Sequence, residues 1–166
     1  MSKTDIRVMQ KFIDTLVGTP RFSYPAKKNV PRPEGEFAHV QLLEEYQESI
    51  PANFIHSQTD EVTVFRTQSL ARLRFRIGIV ETNGVASTRI MHGWTSEAIK
   101  ALMMETGYGF IRAFPVSLED AKLEKRWEER QAIAVEMYVT RTFEETVDNI
   151  TKLFISGNFI EADTVH

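Results

Sequence analysis

The stretch from Glu61 to Thr82 limits the fold more than any other part of the sequence. Leu73, Phe75, Ile77 and Ile79 alternate there with Arg72, Arg74, Arg76 and Gly78, and Val62 and Val64 precede them. Successive side chains of a strand point to opposite faces, so a period of two predicts a half-buried antiparallel strand with one apolar and one arginine face. Gln68-Ser69 is expected to mark a turn or bulge between two such strands.

Other segments carry the helical period. Ser2-Lys3-Thr4-Asp5 has the form of a capping box ahead of Ile6, Met9, Ile13, Leu16 and Val17, which line one side of a helix that Gly18 and Pro20 end. After Asn83-Gly84, Ser87 is expected to cap a helix through Met91, Trp94, Ala98 and Leu102 to Gly107, with Gly93 weakening it by about 1 kcal/mol relative to Ala. A strand through Phe110 and Ile111 follows, then a short charged helix opened by Ser117-Leu118-Glu119-Asp120. A strong strand at 131–140 comes next, with Ile133, Val135, Met137 and Val139 on one face. Thr142-Phe143-Glu144-Glu145 reads as a further capping box for a helix with Phe143, Val147 and Ile150, and Leu153-Phe154-Ile155 as a last strand before Gly157. Residues 37–47 fit both periods and are read as strand. Pro20, Pro25, Pro31 and Pro33, with Lys27, Lys28 and Arg32, make 19–36 an extended proline-rich arm or loop, either mobile or partner-binding. The expected class is α+β, a mixed, mainly antiparallel sheet packed against helices. With 166 residues, 42% of them apolar, one core and a single domain over 1–166 are expected.

The residues that carry chemistry are sparse. Without cysteine there is neither a disulfide framework nor a thiolate metal site, which suits a reducing compartment. The N-terminus lacks the unbroken apolar core of a secretory signal, and nowhere do about 18 apolar residues run together, so a non-exported protein without membrane contact is expected. Twenty Lys and Arg against 23 Asp and Glu give −3, which excludes a global electrostatic drive toward nucleic acid. His39, His56, His92 and His166 contain no pair at i, i+3 or i+4, and no phosphate-cradling or nucleophile-elbow motif occurs. Gly107-Tyr108-Gly109 lacks a third glycine. Glu44, Glu45, Glu48, Glu128 and Glu129 read as solvated faces rather than an acid/base pair. No catalytic, metal or cofactor residue is expected, and the protein is not read as an enzyme. A ligand-binding enzyme and a nucleic-acid module stand as rivals; a polar pocket would mark the first and salt-sensitive binding the second.

The arginine stripe needs an anion. Arg72, Arg74 and Arg76 stand roughly 7 Å apart along one face and repel unless something negative neutralises them. Glu136 of the strong strand, an acidic surface of another subunit, or a phosphate backbone could do so. Nucleic acid ranks last, because Phe75 lies on the opposite face and cannot serve as a stacking platform there.

A second feature is the run Lys125-Arg126-Trp127-Glu128-Glu129-Arg130-Gln131-Ala132 leading into Ile133-Ala134-Val135-Glu136-Met137-Tyr138-Val139, followed by Glu144, Val147-Asp148-Asn149-Ile150 and Leu153-Phe154-Ile155-Ser156-Gly157. With the N-terminal helix, proline-bearing segment, strands and central amphipathic helix before it, the chain resembles the neck terminator and tail terminator proteins of tailed bacteriophages. The resemblance implies a structural virion subunit, assembled in the host cytoplasm, that closes with copies of itself into a ring, typically a hexamer. The ring would cap the tail tube, end its elongation, and join it to the neck connector, with the sheath as a further candidate partner. Genomic DNA would pass through it without sequence-specific binding. A head-tail connector or head completion ring is the alternative. A ring needs two complementary faces on one chain. The stripe at 72–76 and the acidic stretches at 34–48 and 124–129 offer them, so Arg72, Arg74, Arg76, Glu44, Glu45, Trp127 and Glu128 are the candidate interface residues.

Overall fold

The alternating segment forms one 19-residue strand, β4 (Val62–Val80), in a computed structural model that describes residues 3–26, 33–59, 61–116 and 130–148. Gln68 and Ser69 lie inside this strand and make no turn. The strand passes there from one partner segment, Ala52 opposite Gln68, to another, Gln47 opposite Ala71, and Leu70 donates its N–H to Ser49 Oγ at 2.8 Å.

β4 is central. On one side it pairs antiparallel with β2 (Phe37–Gln47), and β2 pairs parallel with the short edge strand β1 (Ser23–Pro25). On its other side lies β6 (Arg130–Asp148), followed by β5 (Tyr108–Pro115) antiparallel to β6, which gives the order β1-β2-β4-β6-β5. The first part of β4 pairs with β3 (Ala52–Gln58). Pro25 fits at β1 because an edge strand need not donate on both sides. Residues 37–47 are thus strand, and the class is α+β with a mainly antiparallel sheet. The described residues fall into two compact units, one within Met1–Ile50 and Ser69–Arg141, the other within Pro51–Gln68 and Thr142–His166.

In the first unit three helices cover the apolar face. Along α1 (Lys3–Val17), Met9, Phe12, Ile13, Leu16 and Val17 recur at helical spacing and are buried against Leu73, Phe75, Ile77 and Ile79 of β4 and Val135 and Met137 of β6. Each such large side chain contributes about 1.5–3 kcal/mol by leaving water. Gly18, at φ 77°, ends α1 with its N–H on Asp14 O. Ser2 of the expected capping box lies outside the described residues. Asp14 then anchors the following segment: its carboxylate accepts from the N–H of Arg21 and from both the N–H and hydroxyl of Ser23. Residues 27–32 of the proline-rich stretch lie outside the described residues.

The single helix expected from Ser87 to Gly107 is two. α2 (Val85–His92) and α3 (Glu97–Thr106) are separated by a 3-10 turn at Gly93–Thr95. A Cβ at Gly93 would stand 2.7 Å from Leu16 Cδ2, so a glycine at the turn leaves room for α1. The break also turns Trp94 onto Phe110, stacked at 4.5 Å, and beside Phe12 at 5.8 Å. Nor does Ser87 cap α2. The carboxylate of Glu81 does so, accepting the N–H groups of Ala86 at 2.8 Å and Ser87 at 3.1 Å.

The helix expected from Thr142 is likewise absent, since β6 continues as strand to Asp148. Those residues belong to the second unit, where Gln68 donates to Thr142 and Arg66 to Glu144 from the neighbouring β4. Cross-strand partners there override a four-residue capping signal. The charged helix expected from Ser117 and the strand expected at 153–155 fall outside the described residues.

Candidate functional site

The site grows from the period of β4. Burying Leu73, Phe75, Ile77 and Ile79 beneath the helices forces Arg72, Arg74, Arg76 and Gly78 onto the opposite face of the sheet. Register then decides their neighbours. On β2, Tyr46 stands opposite Arg72, Glu44 opposite Arg74, Gln41 opposite Arg76 and His39 opposite Gly78. A bulge between Leu42 and Glu44 keeps this set together, because it lets Leu42 enter the core while Glu44 and Tyr46 stay with the arginines. Gly78 makes room for the His39 ring: a Cβ there would lie 2.3 Å from the imidazole, which would have to move.

From β6, Glu136 enters this face fully buried. Its Oε1 accepts from Arg74 Nε at 2.9 Å and its Oε2 from Arg112 Nε at 2.7 Å, with Arg72 Nη1 3.8 Å from Oε2. The Arg112 hydrogen bond, joined by that of Arg74, holds the Glu136 carboxyl below the usual carboxylate range although burial alone would raise it. The same contacts raise the pKa of Arg74 and Arg112. Around this centre Glu44 approaches Arg74 at 3.4 Å, and Glu48 lies 2.7 Å from Arg72 Nε. The Nε–H of Arg72 is misaimed for a hydrogen bond, so that last contact is ionic only. Aromatic rings complete the layer: Arg72 lies over Tyr46, and Arg74 and Arg112 over Phe114. The Tyr46 hydroxyl donates to Glu44, which raises its pKa.

Arg76 differs from its neighbours. Its Nε is buried with no hydrogen-bond partner, and it makes no ion pair among the described residues. Among the described residues four arginines therefore share this face with three carboxylates, Glu136, Glu44 and Glu48.

A second cluster lies on the helical side. Asp5 of α1, fully buried, receives Arg141 in a bidentate pair with both contacts at 3.0 Å, and accepts the hydroxyl of Tyr108. Arg141 also reaches Glu45 at 2.8 Å and 3.2 Å, so Glu44 and its sequence neighbour Glu45 serve different clusters. Burial, and then the bond to Asp5, pushes the Tyr108 hydroxyl up to about 12.

Among the sequence-derived candidates, the structure brings Arg72, Arg74 and Glu44 into one network, leaves Arg76 beside it with no ion pair among the described residues, and sends Glu45 to Arg141. Trp127 and Glu128 lie outside the described residues. Glu136 was expected as an arginine partner from its place in the strong strand. Arg112 and Phe114 were not, and the only signal for them was their spacing of two on a strand after a bulge. Among the described residues no group of three His, Asp or Glu side chains could hold a metal. Two shallow hollows, of about 590 and 410 Å³, lie elsewhere. In the larger, Asp14 already has both oxygens hydrogen-bonded to Arg21 and Ser23. No described helix is long and apolar enough to cross a membrane.

The family model described as phage neck terminator protein matches residues 6–163 of the chain. No curated protein matches it.

Proposed function

The chain belongs to the phage neck terminator protein family, a structural family of the virion neck, and from that premise we propose that copies of it close into a ring, of six, on the head-proximal end of the tail tube. The ring stops tube elongation and presents a surface to the neck connector, and the genome passes through it without being read. The match across 6–163 carries this reading. The arginine face supports it: its chemistry is charge layered on aromatic rings over an open sheet, which suits contact with other protein surfaces.

Two experiments test it. Particles made without this protein are expected to yield tubes of uncontrolled length detached from filled heads, and electron microscopy would show them. Tails of normal length joined to heads would overturn the reading. In complete particles, a map placing the chain between head and connector, away from the tube, would instead make it a head completion ring.

A further inference from the structure

Resting on the ring reading, we propose that neighbouring copies pair Arg76 of one with Glu145 of the next, the latter carried between Phe143 and Val147. Arg76 supplies half of the argument. A buried guanidinium N–H without an acceptor is costly. Arg72, Arg74 and Arg112 have carboxylates around them, while Arg76 has none among the described residues. The positions beside it cannot supply one: Gln41 opposite is neutral, and Gly78 gives its space to the His39 ring. Among the described residues no carboxylate meets Arg76, and the side chain is only half-buried, so its charge is open to an anion brought by a second copy.

The second unit supplies the other half. Residues 51–68 and 142–166 hold seven acidic side chains against two basic ones, whereas the remainder of the chain holds 16 acidic against 18 basic. Its described strands are open: every residue of β3 is exposed, and so is every residue of β6 from Thr142 to Asp148. Within that stretch of β6 the strand period puts Phe143, Glu145 and Val147 on one face, with Phe143 66% and Val147 42% exposed. On the other face Glu144 is already held by Arg66 at 2.5 Å. Glu145 makes no ion pair among the described residues. An apolar-acid-apolar stripe complements an arginine that no described carboxylate meets, because the flanking apolar side chains exclude water around the pair. The two patches are different surfaces of one chain, so the contact is heterologous and propagates from copy to copy until it closes. The occupant is therefore a second copy of this chain.

A charge swap in the full-length protein tests the pairing, with assembly read by light scattering and folding by the melting temperature. Arg76→Glu and Glu145→Arg are each expected to weaken assembly at least about tenfold at unchanged melting temperature, and the double variant to regain most of it. Arg76→Gln and Glu145→Gln, milder changes, should each weaken it less and guard against a misfolded reversal. Wild-type rings with all four single variants assembling equally well would overturn the pairing and leave the ring reading standing. Loss in both reversals without recovery in the double variant would also overturn it. Wild-type protein that stays monomeric alone and with tail tubes would overturn both.

Discussion

Asp5 and Glu136 are both fully buried carboxylates held by arginine, and they sit on opposite sides of the same sheet's backbone. Around Asp5 the groups saturate one another. One guanidinium, from Arg141, bridges Asp5 and Glu45, and the Tyr108 hydroxyl takes the remaining direction. Around Glu136 they do not. Arg74 and Arg112 share it, Glu44 and Glu48 take up charge on Arg74 and Arg72, and Arg76 is left over. The closed cluster ties α1 to β2, β5 and β6 and has nothing to offer a partner. The open one fixes the sheet and, among the described residues, still carries unneutralised charge. A buried ion pair can thus be a fastening or the floor of a surface, and the stoichiometry around it distinguishes the two.

Breaking the closed cluster should cost most. Asp5→Ala leaves the Tyr108 hydroxyl without its acceptor and removes one of the two carboxylates on Arg141, and breaking a buried pair by deleting one partner typically costs about 3–5 kcal/mol. Because Arg141 keeps Glu45, a loss near the lower end, about 3 kcal/mol, is expected in urea unfolding. The open cluster should yield less. Glu136→Gln keeps an acceptor for one arginine, and the heads of Arg72, Arg74 and Arg112 are partly exposed and can rehydrate, so a loss of about 2 kcal/mol is expected. A larger loss for Glu136→Gln than for Asp5→Ala would reverse the comparison.

Acid should act on the open cluster as that substitution does. The Glu136 pKa is lower in the folded chain than the unfolded value of about 4.3, so its contribution is present above that value and is lost as pH falls through and below it. Stability of the wild type and of Glu136→Gln, measured against pH, should therefore converge in acid. A gap that stayed constant down to the acid transition would show that Glu136 contributes through shape and not through charge.

Much of the open cluster was legible in the sequence, and almost none of the closed one. Alternation alone separated Leu73, Phe75, Ile77 and Ile79 from the arginines, since a period of two has one geometric meaning in a strand. Asp5 and Arg141 are 136 positions apart, and no spacing rule connects them. Phe143 and Val147 misled because a separation of four satisfies both the helical and the strand period, and the adjoining capping box then favoured helix. β3 left no mark because none of its residues is buried, so it has no hydrophobic alternation to read. The glycine at position 93 reads in sequence as a weak point of one helix, whereas in the fold it also leaves room for Leu16, a contact between distant segments. What sequence reading captured was local period; what it missed was stoichiometry between remote charges, which decides whether a cluster is closed.

Tyr108→Phe makes the smallest and most diagnostic change. The ring stays, and Asp5 Oδ1 and Oδ2 keep Arg141 at 3.0 Å each, so no carboxylate oxygen loses its last partner. The loss should be that of one hydrogen bond, about 1 kcal/mol near neutral pH. Its pH dependence carries the information. Burial and Asp5 raise the Tyr108 pKa from about 10 to about 12, so the hydroxyl contributes fully below the unfolded value and its contribution fades as pH rises through the folded one. The difference between wild type and Tyr108→Phe should hold steady up to about pH 10 and shrink above it, with one late-titrating tyrosinate missing from the ultraviolet titration of the variant. A wild-type chain whose tyrosines all ionise together near pH 10 would mean that Asp5 and Tyr108 are not closed off from water, and the contrast with Glu136 would lose its basis.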